Sequence, residues 1–146
     1  MKLNPVREII EGRRVVVIDD SIVRGNTTRQ IVAMLRDAGA REVHMRISAP
    51  PIKWPCFYGI DMPDQDELIG SRLDVEGVRA HVAADSLAHL SVEGMIASTQ
   101  IPGDQFCTAC FTSRYPVPVP EEQLRSKHVL EIPKTSQPEK WQAGKG

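Results

Sequence analysis

Apolar residues fall along this chain in short blocks whose spacing switches between a two-residue and a 3.6-residue period. Residues 15–18, Val-Val-Val-Ile, form a β-branched run that predicts a strand buried on both faces of a parallel sheet. Residues 28–38 put Ile31, Leu35 and Ala38 on one helical face with Val32 and Met34 beside it. Thr27 or Thr28 is expected to cap that helix, and Gly39 to close it. Residues 42–47 alternate Val43, Met45 and Ile47 with His44 and Arg46, which predicts a second strand. Residues 48–63 carry four prolines, yet Trp54, Phe57, Tyr58 and Ile60 are too apolar for a free linker, so an ordered loop is expected. Two short helices at 64–73 and 75–84, a strand or turn at 85–90 and a Ser91-capped helix to about residue 100 follow. After Pro116 the chain is proline-rich and then polar, and its last dozen residues are expected to be disordered. The pattern is that of an α/β protein: a parallel sheet with flanking helices and a helical, cysteine-containing C-terminal segment.

Composition narrows the classes. At 146 residues, 41% hydrophobic and 25% charged, the chain is long enough for one domain with its own core. A net charge of −1 gives no bulk attraction for nucleic acid. No apolar run approaches the roughly 18 residues of a membrane span, and the opening MKLNPVREII has no signal-peptide core. A cytoplasmic location is the expectation, with neither nucleic acid nor membrane as partner. Three cysteines, Cys56, Cys107 and Cys110, argue against a disulfide framework and leave metal binding open.

The chemistry concentrates at 15–28. Asp19 and Asp20 end the first strand; Ser21, Ile22, Val23, Arg24, Gly25, Asn26, Thr27 and Thr28 lead from them into a helix. Paired acids at a sheet rim suit hydroxyls or a metal, and a small-residue loop at a helix N-terminus suits a phosphate. Solvated charges in a plain loop are the bland reading. A phosphoacceptor receiver domain also ends its first strand in paired acids, but needs an Asp at the end of another strand. Here that strand runs out as Arg46-Ile47-Ser48-Ala49-Pro50-Pro51, so the receiver reading fails. The third reading is a phosphoribosyl-pyrophosphate (PRPP) loop, with the carboxylates facing the ribose hydroxyls and the metal and the loop holding the 5′-phosphate.

Three blocks in order carry a resemblance: Asp19-Asp20-Ser21-Ile22-Val23-Arg24-Gly25, Tyr58-Gly59-Ile60-Asp61-Met62-Pro63 and Leu90-Ser91-Val92-Glu93-Gly94-Met95. Together they resemble the amidophosphoribosyltransferase (glutamine PRPP amidotransferase) family over about residues 2–116; Asn26 departs from the Thr that many relatives have. The resemblance implies part of a type I phosphoribosyltransferase fold over residues 1–116 and a tail at 117–146. It implies the first committed step of purine biosynthesis, in which ammonia from glutamine attacks C1 of PRPP and gives phosphoribosylamine, glutamate and pyrophosphate. Asp19 and Asp20 would face the ribose hydroxyls and Mg²⁺, residues 21–28 would hold the 5′-phosphate, and Lys2 resembles a family lysine near the phosphates. Arg24 also reads as a salt-bridged surface residue, and Asp61 as a turn cap or a contact to the glutaminase domain.

Cys107-x-x-Cys110 by itself is a metal signal or a pair of core cysteines. One subgroup of the family holds a [4Fe–4S] cluster on four cysteines, and the resemblance implies Cys56, Cys107 and Cys110 as three of them, the fourth lying upstream. Zinc on Cys56, Cys107, Cys110 and one of His44, His81, His89 or His128 is the alternative. The family's glutaminase domain, with its N-terminal cysteine nucleophile, has no counterpart in these residues. The expectation is therefore a C-terminal portion, inactive alone, whose partners are PRPP and the missing N-terminal portion in a homo-oligomer. Two other classes compete: a non-catalytic PRPP-sensing module, and a metal-binding structural domain in which the acids are incidental.

Overall fold

The computed structural model describes residues 5–119. A single helical turn, α1 (Arg7–Ile10), leads into β1 (Arg14–Asp19), α2 (Asn26–Asp37) and β2 (Glu42–Ile47). A long loop and a 3-10 turn (Gln65–Glu67) connect to α3 (Ile69–Arg72), α4 (Val75–Val82) and β3 (Ser86–His89). The chain continues through α5 (Val92–Thr99) and a second 3-10 turn (Gly103–Gln105) to α6 (Ala109–Thr112). The three strands form one parallel sheet in the order β1-β2-β3. This is the parallel α/β arrangement that the periodicity predicts, since each crossover contains a helix.

The β2 alternation sets the layers. Val43, Met45 and Ile47 are buried, and they pack with Val32 and Leu35 of α2 and with Val78 and Val82 of α4. Burying each such side chain contributes about 1.5–3 kcal/mol. Register places Val15 beside Val43 and Val17 beside Met45 on this covered face. Val16 and Ile18 face the other way and are 60% and 76% exposed. That corrects the expectation of a strand buried on both faces. Among the described residues β1 pairs with β2 alone, and α2 and α4 cover one face of the sheet, so the outward members of the β-branched run are exposed.

The helix ends differ in how well they were legible. Gly39 closes α2 as expected, with φ +90°, and Ser91 caps α5 by accepting from the Gly94 N–H at 3.0 Å. The start of α2 is a correction: its N-cap is Gly25 in the left-handed region, with no capping side chain, and Thr28 is buried inside the first turn. The helix expected over 64–73 is a 3-10 turn followed by one α-turn.

The proline-rich loop is ordered, but its anchors are not the aromatics. Ile52 and Met62 are buried with Leu68 in a second cluster that Val23, Cys56, Cys110 and Phe111 flank, while Tyr58 and Ile60 are exposed. A side chain at Gly70 would start 2.6 Å from the Ile52 carbonyl oxygen, so only glycine lets the loop lie this close to α3. The loop is stitched to the α6 region: the Lys53 and Trp54 N–H groups both donate to the Cys110 carbonyl, and the Tyr115 hydroxyl donates to Pro55. Phe57 meets the Tyr115 ring edge-on at 5.3 Å. Val117 is also tied in, through the Tyr58 hydroxyl. The tail expected to be disordered lies outside the described residues, as do Lys2 and His128.

Asp85 joins three elements. Its N–H donates to Val43 O at 2.9 Å, and its Oδ2 accepts from Val43 N and Arg36 Nη2, both at 2.5 Å. The Val43 N–H first, and then the Arg36 guanidinium, hold this carboxyl below its ordinary 3.8 against the opposing effect of burial. A depressed carboxylate contributes stability above its unfolded value and loses it as pH falls through the folded one. Asp85→Asn is therefore expected to lower stability near neutral pH by about 1 kcal/mol, the side chain being partly exposed. Urea midpoints compared at pH 7 and pH 3 check this: the difference between variant and wild type should shrink at the lower pH.

Candidate functional site

β1 delivers Asp19 and Asp20 to the carboxyl end of the sheet, where open α/β folds place their ligands. Each carboxylate turns back on the chain. Asp19 Oδ1 accepts from Asp20 N at 3.0 Å, and Asp20 Oδ1 accepts from Ser21 N at 2.7 Å and from the Ser21 hydroxyl at 3.3 Å. These bonds occupy one oxygen of each acid and fix its direction, and both side chains line the groove ahead of α2. That groove has a volume of about 430 Å³ and is lined by Asp19, Asp20, Ser21 and residues 23–28. Ile22 instead turns into the core.

The loop is braced from the core side. Val23 O accepts from Ile69 N at 2.9 Å, and Gly25 O accepts from Arg29 N at 2.9 Å, which begins the α2 ladder. Gly25 has φ +81°, and a Cβ there would stand 2.9 Å from Ile69 Cδ1 and 3.2 Å from His81 Cδ2. Conformation and space both require glycine. The first N–H groups of α2 have no intrahelical acceptors and carry the positive end of its dipole. With Asn26 and Thr27 exposed beside them, this rim of the groove suits an anion of phosphate size.

Arg24 lines the groove and is also held in an ion pair. Its guanidinium pairs with Glu67, 43 residues on, through Nε at 3.0 Å and through Nη2. The structure thus shows Arg24 in an ion pair, as its salt-bridged reading expects, while the residue still lines the groove. Nothing in the local sequence marks Glu67 as its partner, because the pair forms only when the 3-10 turn folds over the loop. His81 and Ile69, the residues under Gly25, are likewise invisible as site residues in the sequence; their only signal is that their helices pack on α2.

Two of the three cysteines lie beside the second core cluster, on which Val23 of the site loop also packs. Cys56 and Cys110 are half-buried around the second core cluster, and Cys107 is exposed. Burial pushes the Cys110 thiol up, with smaller contributions from Cys56 and Cys107. Burial also pushes Tyr115 up to about 12, and Cys110, Cys56, Tyr58 and Cys107 add to the effect. Cys56 and Cys110 flank the same apolar cluster, and Cys107 lies outside it. Among the described residues no three His, Cys, Asp or Glu side chains are grouped to hold one metal ion. Of the histidines named for the zinc alternative, His44 is bonded to Ser86 and Glu42, His89 Nδ1 to the Ala49 carbonyl, and His81 lies beneath Gly25.

A parallel sheet, paired acids at its carboxyl edge and a glycine-opened helix define a fold of the phosphoribosyltransferase type. Comparison with known proteins agrees. No family model matches the chain. It is 54% identical over 131 residues to the amidophosphoribosyltransferase of Synechocystis, and 50% identical over 136 residues to that of Mycobacterium bovis, each match covering 90% of the chain and 26% of the relative. Archaeoglobus fulgidus has another at 53% over 125 residues. Among solved structures it is similar to the glutamine PRPP amidotransferase of B. subtilis complexed with ADP and GMP, at 50% identity and a TM-score of 0.74 over 84% of the chain. A structure described as the allosteric regulatory enzyme of purine biosynthesis gives a TM-score of 0.77, also at 50% identity. Over the matched residues the chain is similar to amidophosphoribosyltransferases in sequence and in fold. It spans about a quarter of the length of these relatives.

Gly25→Ala is expected to cost about 1–3 kcal/mol, from left-handed strain plus the Ile69 contact. Thermal unfolding checks this, and a melting temperature equal to that of wild type would mean that the loop is not held as described.

Proposed function

We propose that this chain supplies the PRPP-binding part of an amidophosphoribosyltransferase, which transfers glutamine-derived ammonia to C1 of PRPP with loss of pyrophosphate. The observation that carries the reading is the groove ahead of α2, in which two carboxylates and an amide-lined helix start share one rim. The amidotransferase relatives support the chemistry, and the B. subtilis neighbour is described as acting with PRPP.

In this reading Asp19 and Asp20 accept hydrogen bonds from the ribose 2′- and 3′-hydroxyls through the oxygens left free by their backbone bonds. The N–H groups of residues 26–28 and the hydroxyls of Ser21, Thr27 and Thr28 hold the 5′-phosphate. Fixing both ends of the sugar leaves C1 as the mobile centre, and the adjacent carboxylates favour the positive charge that develops there as pyrophosphate departs. Mg²⁺, when bound with PRPP near Asp19 and Asp20, supplies charge neutralisation to the diphosphate. Lys2, outside the described residues, is assigned to the phosphates by resemblance alone. Ammonia supply, through the glutaminase portion, belongs to the longer protein, which we take to be a cytoplasmic homo-oligomer.

Cys56, Cys107 and Cys110 are read as three ligands of a structural [4Fe–4S] cluster that would pin the α6 region to the proline-rich loop. The support is that Cys56 and Cys110 flank one apolar cluster and that hydrogen bonds already join the Cys110 main chain to Lys53 and Trp54.

Isothermal titration with Mg–PRPP tests the site. The 146-residue chain should bind, Asp19→Asn and Asp20→Asn should each weaken binding about tenfold or more, and absence of binding to the wild-type chain would overturn the reading. Phosphoribosylamine formation from PRPP and ammonia by the chain alone should be negligible. After anaerobic reconstitution the chain should hold iron and sulfide below stoichiometry, because its cysteines fill three of four positions; a stable, stoichiometric cluster would refute that ligand count.

A further inference from the structure

His81, near the end of α4, is set against the candidate phosphate loop from below. The Cδ2–Nε2 edge of its ring faces Gly25, with Cδ2 3.2 Å and Nε2 3.6 Å from where a Cβ on that glycine would stand. Nε2 is sealed from solvent and has no hydrogen-bond partner, the sole such side-chain nitrogen or oxygen among the described residues. A buried polar atom left unpaired costs about 1–3 kcal/mol. An apolar ring of the same size would fill this space without that penalty, so packing alone does not account for an imidazole here. The ring edge that carries Nε2 thus lies against the Gly25 main chain, beside the Ile69 side chain that meets the same position.

We propose that His81 is a positioning residue for the phosphate end of the site: its Nε2 gains a main-chain hydrogen bond at Gly25 when a phosphate draws the residue 26–28 amides together. This rests on the reading of residues 19–28 as the sugar-phosphate cradle. The loop is clamped on its other flank by the Ile69 N–H to Val23 O bond, so motion on loading is confined to the Gly25 side, where His81 sits. The unpaired nitrogen destabilises the empty form and is relieved in the loaded form, which places part of the affinity in a residue that does not touch the ligand. Loss of the nitrogen therefore weakens binding without weakening the fold. A residue that merely fills space behaves the opposite way, since its replacement changes stability and leaves the bound state no special deficit.

The test uses the 146-residue chain with ribose 5-phosphate as probe, followed by calorimetry and by ¹⁵N resonances of labelled histidine. His81→Phe, which keeps ring volume and removes both nitrogens, should melt at or above the wild-type temperature yet bind ribose 5-phosphate about 3- to 10-fold more weakly, the range of one net hydrogen bond. His81→Gln, whose amide reaches the Nε2 position, should recover part of the affinity. In the wild-type chain the His81 Nε2 resonance should shift on saturation. Equal affinity of wild type and His81→Phe, or an Nε2 resonance that does not move, overturns the proposal even if Asp20→Asn and Thr27→Ala still weaken binding, in which case the cradle reading stands. No binding of ribose 5-phosphate to the wild-type chain overturns both.

Discussion

The missing side chain at Gly25 is the constraint on which the rest of this structure turns. With φ at +81° the chain leaves the strand–loop path and enters α2 in one residue, and with no Cβ it lets Ile69 and His81 close up beneath. The same contact thus ends the loop, starts the helix and docks α3 and α4 under it. Ile69 and His81 thus support from below the loop that lines the groove ahead of α2.

That bracing links the site to both halves of the core. Ile22 belongs to the main cluster built on Val43 and Met45, and Val23 packs on the second cluster with Ile52, Met62 and Leu68. Consecutive residues of one short loop therefore reach two separate apolar assemblies. The second assembly runs on to Cys56 and Cys110, so packing is continuous between the cysteine region and the residues beside Asp20. An interaction that orders the α6 region would act on the loop through ordinary van der Waals contact, with no need of a dedicated path.

Polar contacts reinforce this economy of elements. Asp85 serves β2, β3 and α2 at once, and the Arg24–Glu67 pair folds the 3-10 turn across the loop. Both pairs span more than 40 residues of sequence. Both are partly exposed, so their energies are small, and what they contribute is chiefly register and direction.

Local signals in the sequence determined most of the elements. The period-two alternation of residues 42–47 marked β2 to the residue, Ser91 and Gly39 marked helix ends, and two acids before a Gly-Asn-Thr-Thr turn marked the candidate site, because each depends on chemistry within a few positions. Tertiary structure alone decided what those residues touch. That Val16 and Ile18 are exposed follows from α2 and α4 covering one face of the sheet; that Arg24 faces Glu67 follows from the turn folding over it; and that Ile52 and Met62 anchor the proline-rich loop follows from its approach to α3. His81 was legible only as a free metal ligand, and its place under Gly25 appears when α4 packs against α2. A residue's type and spacing state what it can do, whereas its partners are set by distances that close only when segments far apart in the chain share one core.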